Sequence, residues 1–300
     1  MNWWCSSSLR PWTWEPSPYI GAWVILFAVA GLAMWWNRLG RTQEPTLDAR
    51  EAAALQFGSG AYPSSPRSRT IAFGFAMIGL WACLDWPLAS LGAGYLATAQ
   101  MIRQILMVMV VAPLMLFACP APLAVRLFGW GRGLWLIRWM ARPMLAIPVA
   151  ALTLVAVNAP AIVDPLVATP YGAFALDFAW VLAGFVLWMP VQCPHPGVPR
   201  LIGGTAVTYL VVQSIVPLFP GFFMTWAEFP IYSTYELAPR VFEGFDAVID
   251  QQTAAAVLQV GGMFLLWVQI ASRFLRWGYQ QIEEGNGPRK PIAGPATGAP

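Results

Sequence analysis

The chain has 300 residues, of which 58% are hydrophobic and only 10% charged, with a formal net charge of +3. A soluble domain carries about 25% charged residues, so this balance excludes an ordinary soluble enzyme or a nucleic-acid-binding domain. It points instead to an all-α polytopic membrane bundle. The 17 Trp fit that class, because Trp favours membrane–water interfaces.

Taken in order, residues 1–18 read as an interfacial segment with Trp3, Trp4, Trp12 and Trp14 as belt residues. They are polar and Pro-rich without an apolar core, so no cleavable signal peptide is expected. Seven spans follow: 19–36, 71–88, 96–119, 143–157 (extended a little at either end), 171–191, 201–219 and one within 250–274. Loop 120–142 is basic and contains Trp130, Trp135 and Trp139. It could form a short surface helix, and it is the expected contact with anionic lipid head groups. Loop 158–170 contains Pro, and loop 222–249 is acidic. Residues 1–277 then form one seven-helix domain, and the Gly- and Pro-rich stretch 278–300 is expected to be a disordered cytoplasmic tail.

Lys and Arg fix the orientation. Arg38, Arg41, Arg50, Arg67 and Arg69 fall in one loop, and Arg126, Arg132, Arg138 and Arg142 in another. Arg200, Arg273, Arg276, Arg289 and Lys290 lie on the same side, against only Arg10 and Arg240 opposite. This asymmetry requires an odd number of spans, with the N-terminus outside and the C-terminus in the cytoplasm of a bacterial inner membrane.

The third span, LATAQMIRQILMVMVVAPLMLFAC, holds the main anomaly. Gln100, Arg103 and Gln104 share one helix face, and a charge inside a span is costly unless turned inward and paired. Pro113 should kink the same helix. The topology brings Asp85, Asn158, Asp164, Asp177, Asp250, Gln251 and Gln252 to the same outer level. Arg103 can therefore pair with Asp85, Asp177 or Asp250. The set reads either as a satisfied structural network or as a ligand or ion site opening outward. A transporter or ion-conducting role would rest on this cluster alone.

Metal chemistry is disfavoured by residue type, because copper and zinc sites want His, Cys or Met. The single His195 lies in a Pro-rich turn on the other side, and Cys5, Cys83, Cys119 and Cys193 show no metal spacing. Met101, Met107, Met109 and Met115 could supply thioethers, but Met is also a common gap-filler in apolar packing. No nucleotide-binding loop, nucleophile elbow or zincin motif occurs, and no tuned acid–base pair emerges, so no enzymatic role is expected.

Several pieces resemble, in order, the CtaG-like integral membrane proteins linked to cytochrome c oxidase assembly. They are Trp12-Thr13-Trp14-Glu15-Pro16, Asp85-Trp86-Pro87-Leu88, Gln100-Met101-Ile102-Arg103-Gln104 followed by Ala112-Pro113, and Trp188-Met189-Pro190. Pro230-Ile231-Tyr232 and Asp250-Gln251-Gln252-Thr253-Ala254 complete the series, and the resemblance covers roughly residues 12–275. It implies a role in oxidase maturation with oxidase subunits and the lipid bilayer as partners. The family motif has histidines where Gln100 and Gln104 stand here, and further family histidines fall at Asn158 and near Asp177. A polar network survives such replacements, whereas copper binding does not. The expected protein is a divergent assembly or stabilising factor without cofactor. The alternative is a permanent, cofactor-free subunit of a respiratory or photosynthetic membrane complex.

Overall fold

The computed structural model describes residues 3–8, 10–40, 66–129 and 131–286. Among them every regular element is a helix. The helices are α1 (Ile20–Gly40), α2 (Pro66–Leu84), α3 (Leu88–Gly94), α4 (Ala97–Ala118), α5 (Ala121–Phe128) and α6 (Arg132–Met140). After these come α7 (Pro143–Ala156), α8 (Pro160–Val167), α9 (Pro170–Gln192), α10 (Gly203–Gln213), α11 (Leu218–Trp226) and α12 (Ser233–Glu236). The last, α13, starts at Ala247 and continues to Asn286.

Four stretches are long and apolar enough to cross a membrane: α4, α9, the α10–α11 pair (Gly203–Trp226), and Ala247–Tyr279 of α13. The α2–α3 pair is bent by 44° and the α6–α7 pair by 73°; counting each as one crossing gives six. The apolar part of α1, Ile20–Trp36, is shorter.

Three expectations change. Residues 158–170 are not simply a loop, because α8 occupies most of them. The basic loop 120–142 is two helices, α5 and α6, and Trp130 lies outside the described residues. Residues 278–286, expected in the tail, continue α13; residues 287–300, like 41–65, lie outside the described residues.

α4 and α9 form the centre. In each, 61% of the apolar window is buried, against 33% for α13. They cross closely at Gly184, where a Cβ would stand 2.7 Å from the Ala112 Cβ and 3.1 Å from the Val108 Cα. The crossing coincides with a π-turn in α4, Leu106–Val111. Pro113 explains it. Proline has no N–H and clashes with the carbonyl four residues back, so the helix widens before it, and Ala112 N–H reaches the Met107 carbonyl. The wider register would pair the Val108 carbonyl with residue 113, which is Pro. The Trp188 indole of α9 donates to that carbonyl instead, at 2.8 Å. Pro113 therefore acts through a widened turn, and the orphaned carbonyl it creates is satisfied by the neighbouring helix.

His195 is fully buried in the turn after α9. Its Nδ1 accepts from Gly197 N–H and its Nε2 meets the Gly129 carbonyl, both at 3.1 Å, while Arg138 Nε donates to the Gly197 carbonyl. The ring thus ties the 193–202 turn to the α5–α6 connection as a neutral donor–acceptor. Burial, reinforced by nearby Arg138, lowers its pKa below the ordinary histidine value, while the Gly129 bond opposes the shift. The sign follows. The neutral ring's contribution is complete above about pH 6.5 and is lost as pH falls through the lowered folded-state value. Acidification should loosen this latch by about one hydrogen bond, roughly 1 kcal/mol. Melting curves of wild type and His195→Gln between pH 7 and pH 5 check it, and parallel curves would contradict it.

Candidate functional site: a buried ion pair and a two-amide cavity

The predicted polar stripe of α4 faces inward: Gln100, Arg103 and Gln104 are 1%, 2% and 4% exposed. Arg103 pairs with Asp177 of α9, its terminal nitrogen lying 2.8 and 2.7 Å from the two carboxylate oxygens. The rest of the guanidinium is also held. Arg103 Nε donates to the Cys83 carbonyl at the end of α2 at 2.8 Å, and the other terminal nitrogen donates to Gln100 Oε1 at 3.3 Å. The guanidinium carbon lies 5.6 Å from the Trp180 ring centroid, one helical turn from Asp177. An ion pair with its remaining donors satisfied is the arrangement in which two charges survive in an apolar interior.

Two contacts of this centre come from residues that the sequence reading placed elsewhere. Trp4, expected in the interfacial belt, is 1% exposed and donates its indole N–H to Asp177 at 3.0 Å. Cys5 lies beside it, its sulfur 3.9 Å from the guanidinium. The N-terminal segment therefore dips into the bundle, pinned by Ser7 N–H to the Val167 carbonyl and by Gly21 N–H to the Trp3 carbonyl. Trp3 and Trp14 remain exposed, as a belt requires. Gly92 of α3 completes the wall: a Cβ there would meet Arg103 Cδ at 2.9 Å, and its carbonyl accepts from Tyr235 at 2.7 Å.

Asp85 and Asp250 do not pair with Arg103. Both cap helix starts across the bundle. Asp250 accepts from Ala97 N–H at 2.6 Å and Thr98 N–H at 3.0 Å, the first two residues of α4. Asp85 accepts from Tyr19 N–H at 3.1 Å, just ahead of α1, and from the Trp81 indole. Asp164 similarly accepts from Ser233 and Thr234 N–H at the start of α12. The first N–H groups of a helix have no partner of their own, and a carboxylate there also complements the helix dipole. Asp177 alone of the candidate carboxylates turns to the arginine. Gln251 accepts from Ile231 N–H at 2.7 Å and donates to the Met224 carbonyl at 3.1 Å, knitting the α11–α12 connection to α13, while Gln252 points outward. Asp250→Ala should strip both caps from α4 and lower stability by about 0.5–2 kcal/mol. Thermal denaturation in detergent checks this, and an unchanged midpoint would contradict it.

Gln104 and Asn158 belong to a second centre. Both line a small cavity of about 20 Å³ together with Ile105, Val108, Met109 and Leu258, enough for about one water. Gln104 Oε1 and Asn158 Oδ1 are buried acceptors without a protein partner. Four irregularities converge here: the π-turn of α4, a second π-turn at Val257–Gly261 of α13, the α10–α11 break, and the end of α7. Such turns concentrate at functional sites. The amides were legible in the sequence; the convergence was not.

Gln100, Gln104 and Asn158 offer amides, and both oxygens of Asp177 are engaged by Arg103. These donors do not suit a soft metal such as copper. Among the described residues no group of three or more His, Cys, Asp or Glu is placed to hold a metal ion. Met101 and Met107 are buried as core packing.

Fold and centre together define an all-helical protein with four to six candidate membrane spans, clamped among the described residues by a buried Arg103–Asp177 ion pair. The family described as "Cytochrome c oxidase caa3 assembly factor (Caa3_CtaG)" matches residues 52–280. The chain belongs to that family. No curated protein and no solved structure matches it.

Proposed function

We propose that this chain acts in the assembly or stabilisation of a cytochrome c oxidase-type complex, as a noncatalytic protein that binds no metal of its own. The family match over residues 52–280 carries the reading. The metal-free part is supported by the amides of Gln100, Gln104 and Asn158 and by the Asp177 carboxylate, which Arg103 engages. The topology we propose has seven spans, with each bent pair as one crossing and α1 as the seventh. The Lys and Arg asymmetry then sets the N-terminus outside and the C-terminus in the cytoplasm of a bacterial inner membrane.

Native-gel separation of gently solubilised membranes, with quantitative mass spectrometry of each slice, tests this. An assembly factor spreads across partial oxidase assemblies and is scarce in the mature enzyme. Deleting it lowers mature oxidase; unchanged oxidase levels would overturn the proposal. Co-migration with one mature complex at fixed copy number would make it a permanent subunit instead.

A further inference from the structure

The last helix outruns a bilayer. From Ala247 to Asn286, α13 rises about 60 Å, roughly twice the thickness of a hydrocarbon core. Polar residues return towards its end: Arg273, Arg276, Gln280, Gln281, Glu283 and Glu284. Apolar side chains among them have no hydrocarbon to face, yet Leu275, Tyr279 and Ile282 are each more than half exposed. They continue a stripe that starts in the apolar part of the helix. Val268, Leu275 and Ile282 repeat every seven residues, and Phe264, Ala271 and Gly278 repeat between them. These are the a and d spacings of a coiled-coil seam. Phe264, Val268, Ala271, Leu275 and Ile282 are exposed, whereas Leu266 and Ile270, on the opposite face, are buried in the bundle. Trp277, also opposite, lies over Gly203 of α10, where a Cβ would stand 3.1 Å from its ring. The stripe therefore faces away from its own chain.

Three observations select what covers it. Glycine weakens a helix interior, and a Cβ on Gly278 would meet nothing within 4 Å. Packing within the chain does not call for this glycine, whereas close approach of a second helix does. The charges also avoid the seam. With Val268, Leu275 and Ile282 at a, the residues Arg273, Arg276, Glu283 and Glu284 fall at f, b, b and c. The flanking e and g positions hold Ser272, Phe274, Tyr279 and Gln281, so two copies side by side meet no like charge. Finally, Phe264, Val268, Phe274, Leu275, Tyr279 and Ile282 together expose on the order of 700 Å², near the ~800 Å² per partner of a standard interface. Copies inserted by the same Lys and Arg asymmetry share one orientation, so a pair is parallel and in register, a on a and d on d. We propose that two copies of this chain dimerise through residues 264–282 of α13, about a two-fold axis along the membrane normal. The pairing does not depend on the role in oxidase assembly.

Cysteine cross-linking of the full chain in its native membrane tests the register. On mild oxidation, Ala271→Cys and Gly278→Cys should each give a covalent dimer, while Arg276→Cys, at b, should give no more than the wild type with its own four cysteines. The affinity is read in phosphatidylcholine vesicles, by single-molecule photobleaching of labelled protein over a range of protein-to-lipid ratios. Ile282→Glu places a like charge at a in both copies and should move the dimerisation midpoint by about tenfold or more. Ile282 is exposed, so this variant should melt like wild type, which separates association from folding. A wild type that stays monomeric at every ratio, the result expected if lipid alone covers the stripe, would overturn the proposal. So would equal cross-linking at positions 276 and 278, or a midpoint unmoved by Ile282→Glu. Cross-links from Gly278→Cys that join it only to chains of another mass would give the stripe to a different membrane subunit.

Discussion

Arg103→Leu destabilises the protein by about 3–5 kcal/mol, because it strands Asp177 in the bundle without its cation. The carboxylate would keep the Trp4 indole as its one remaining described donor. Asp177→Asn leaves the reciprocal problem, a buried guanidinium with one acceptor oxygen fewer and no counter-charge. The pair is a clamp, joining α4 to α9, to the end of α2 and to the N-terminal segment, so either loss should loosen several elements together. Thermal denaturation in detergent measures it, with native-state proteolysis near Trp4 as a local readout. The double variant Arg103→Met, Asp177→Leu should recover much of the loss, since removing both charges restores an apolar interior. An Arg103→Leu protein that accumulates and melts like wild type would end the clamp interpretation. A double variant no better than the single would show that the hydrogen bonds to Cys83 and Trp4, rather than the charges, dominate.

Gln104→Met acts in the opposite direction. Its side-chain oxygen is buried without a partner, and an unsatisfied buried acceptor costs about 1–3 kcal/mol. Methionine has a similar shape and no such demand, so the variant should melt higher. A melting point at or below wild type would show that the oxygen is partnered in the bilayer. We expect oxidase assembly to fall although stability rises. Groups that weaken a fold in place are retained where function uses them, and this one sits where two π-turns and two helix interruptions meet. Oxidase levels equal to wild type in Gln104→Met cells would make the cavity a packing defect, leaving the assembly role to other surfaces.

The clamp and the cavity were legible to different degrees. A charge within an apolar run stands out in one dimension, so Arg103 and its inward stripe followed from the helical period alone. Its partner did not. Asp85, Asp177 and Asp250 sit at one depth, and depth is all that hydropathy and topology supply. The choice depends on rotation about each helix axis. Asp85 and Asp250 are taken up by bare N–H groups at the starts of α1 and α4, which leaves Asp177. Trp4 was misplaced for a related reason. A Trp near a span end is read by composition as interfacial, whereas its burial depends on the first residues folding back beneath α9.

By itself the sequence determined the helical class, the approximate positions of the apolar segments, the family and the residues that had to be buried polar. These follow from local quantities: apolar run length, helical spacing and the cost of a charge in hydrocarbon. Tertiary structure alone decided which carboxylate met Arg103, where Pro113 widened its helix, how the short helices α3, α6, α7 and α8 joined or bent away from the longer ones, and that Gln104 and Asn158 face one cavity. Each of these depends on the angle and distance between elements far apart in the chain. That geometry is set by side-chain packing at many contacts at once, such as the Gly184 crossing, and no single stretch of sequence carries it.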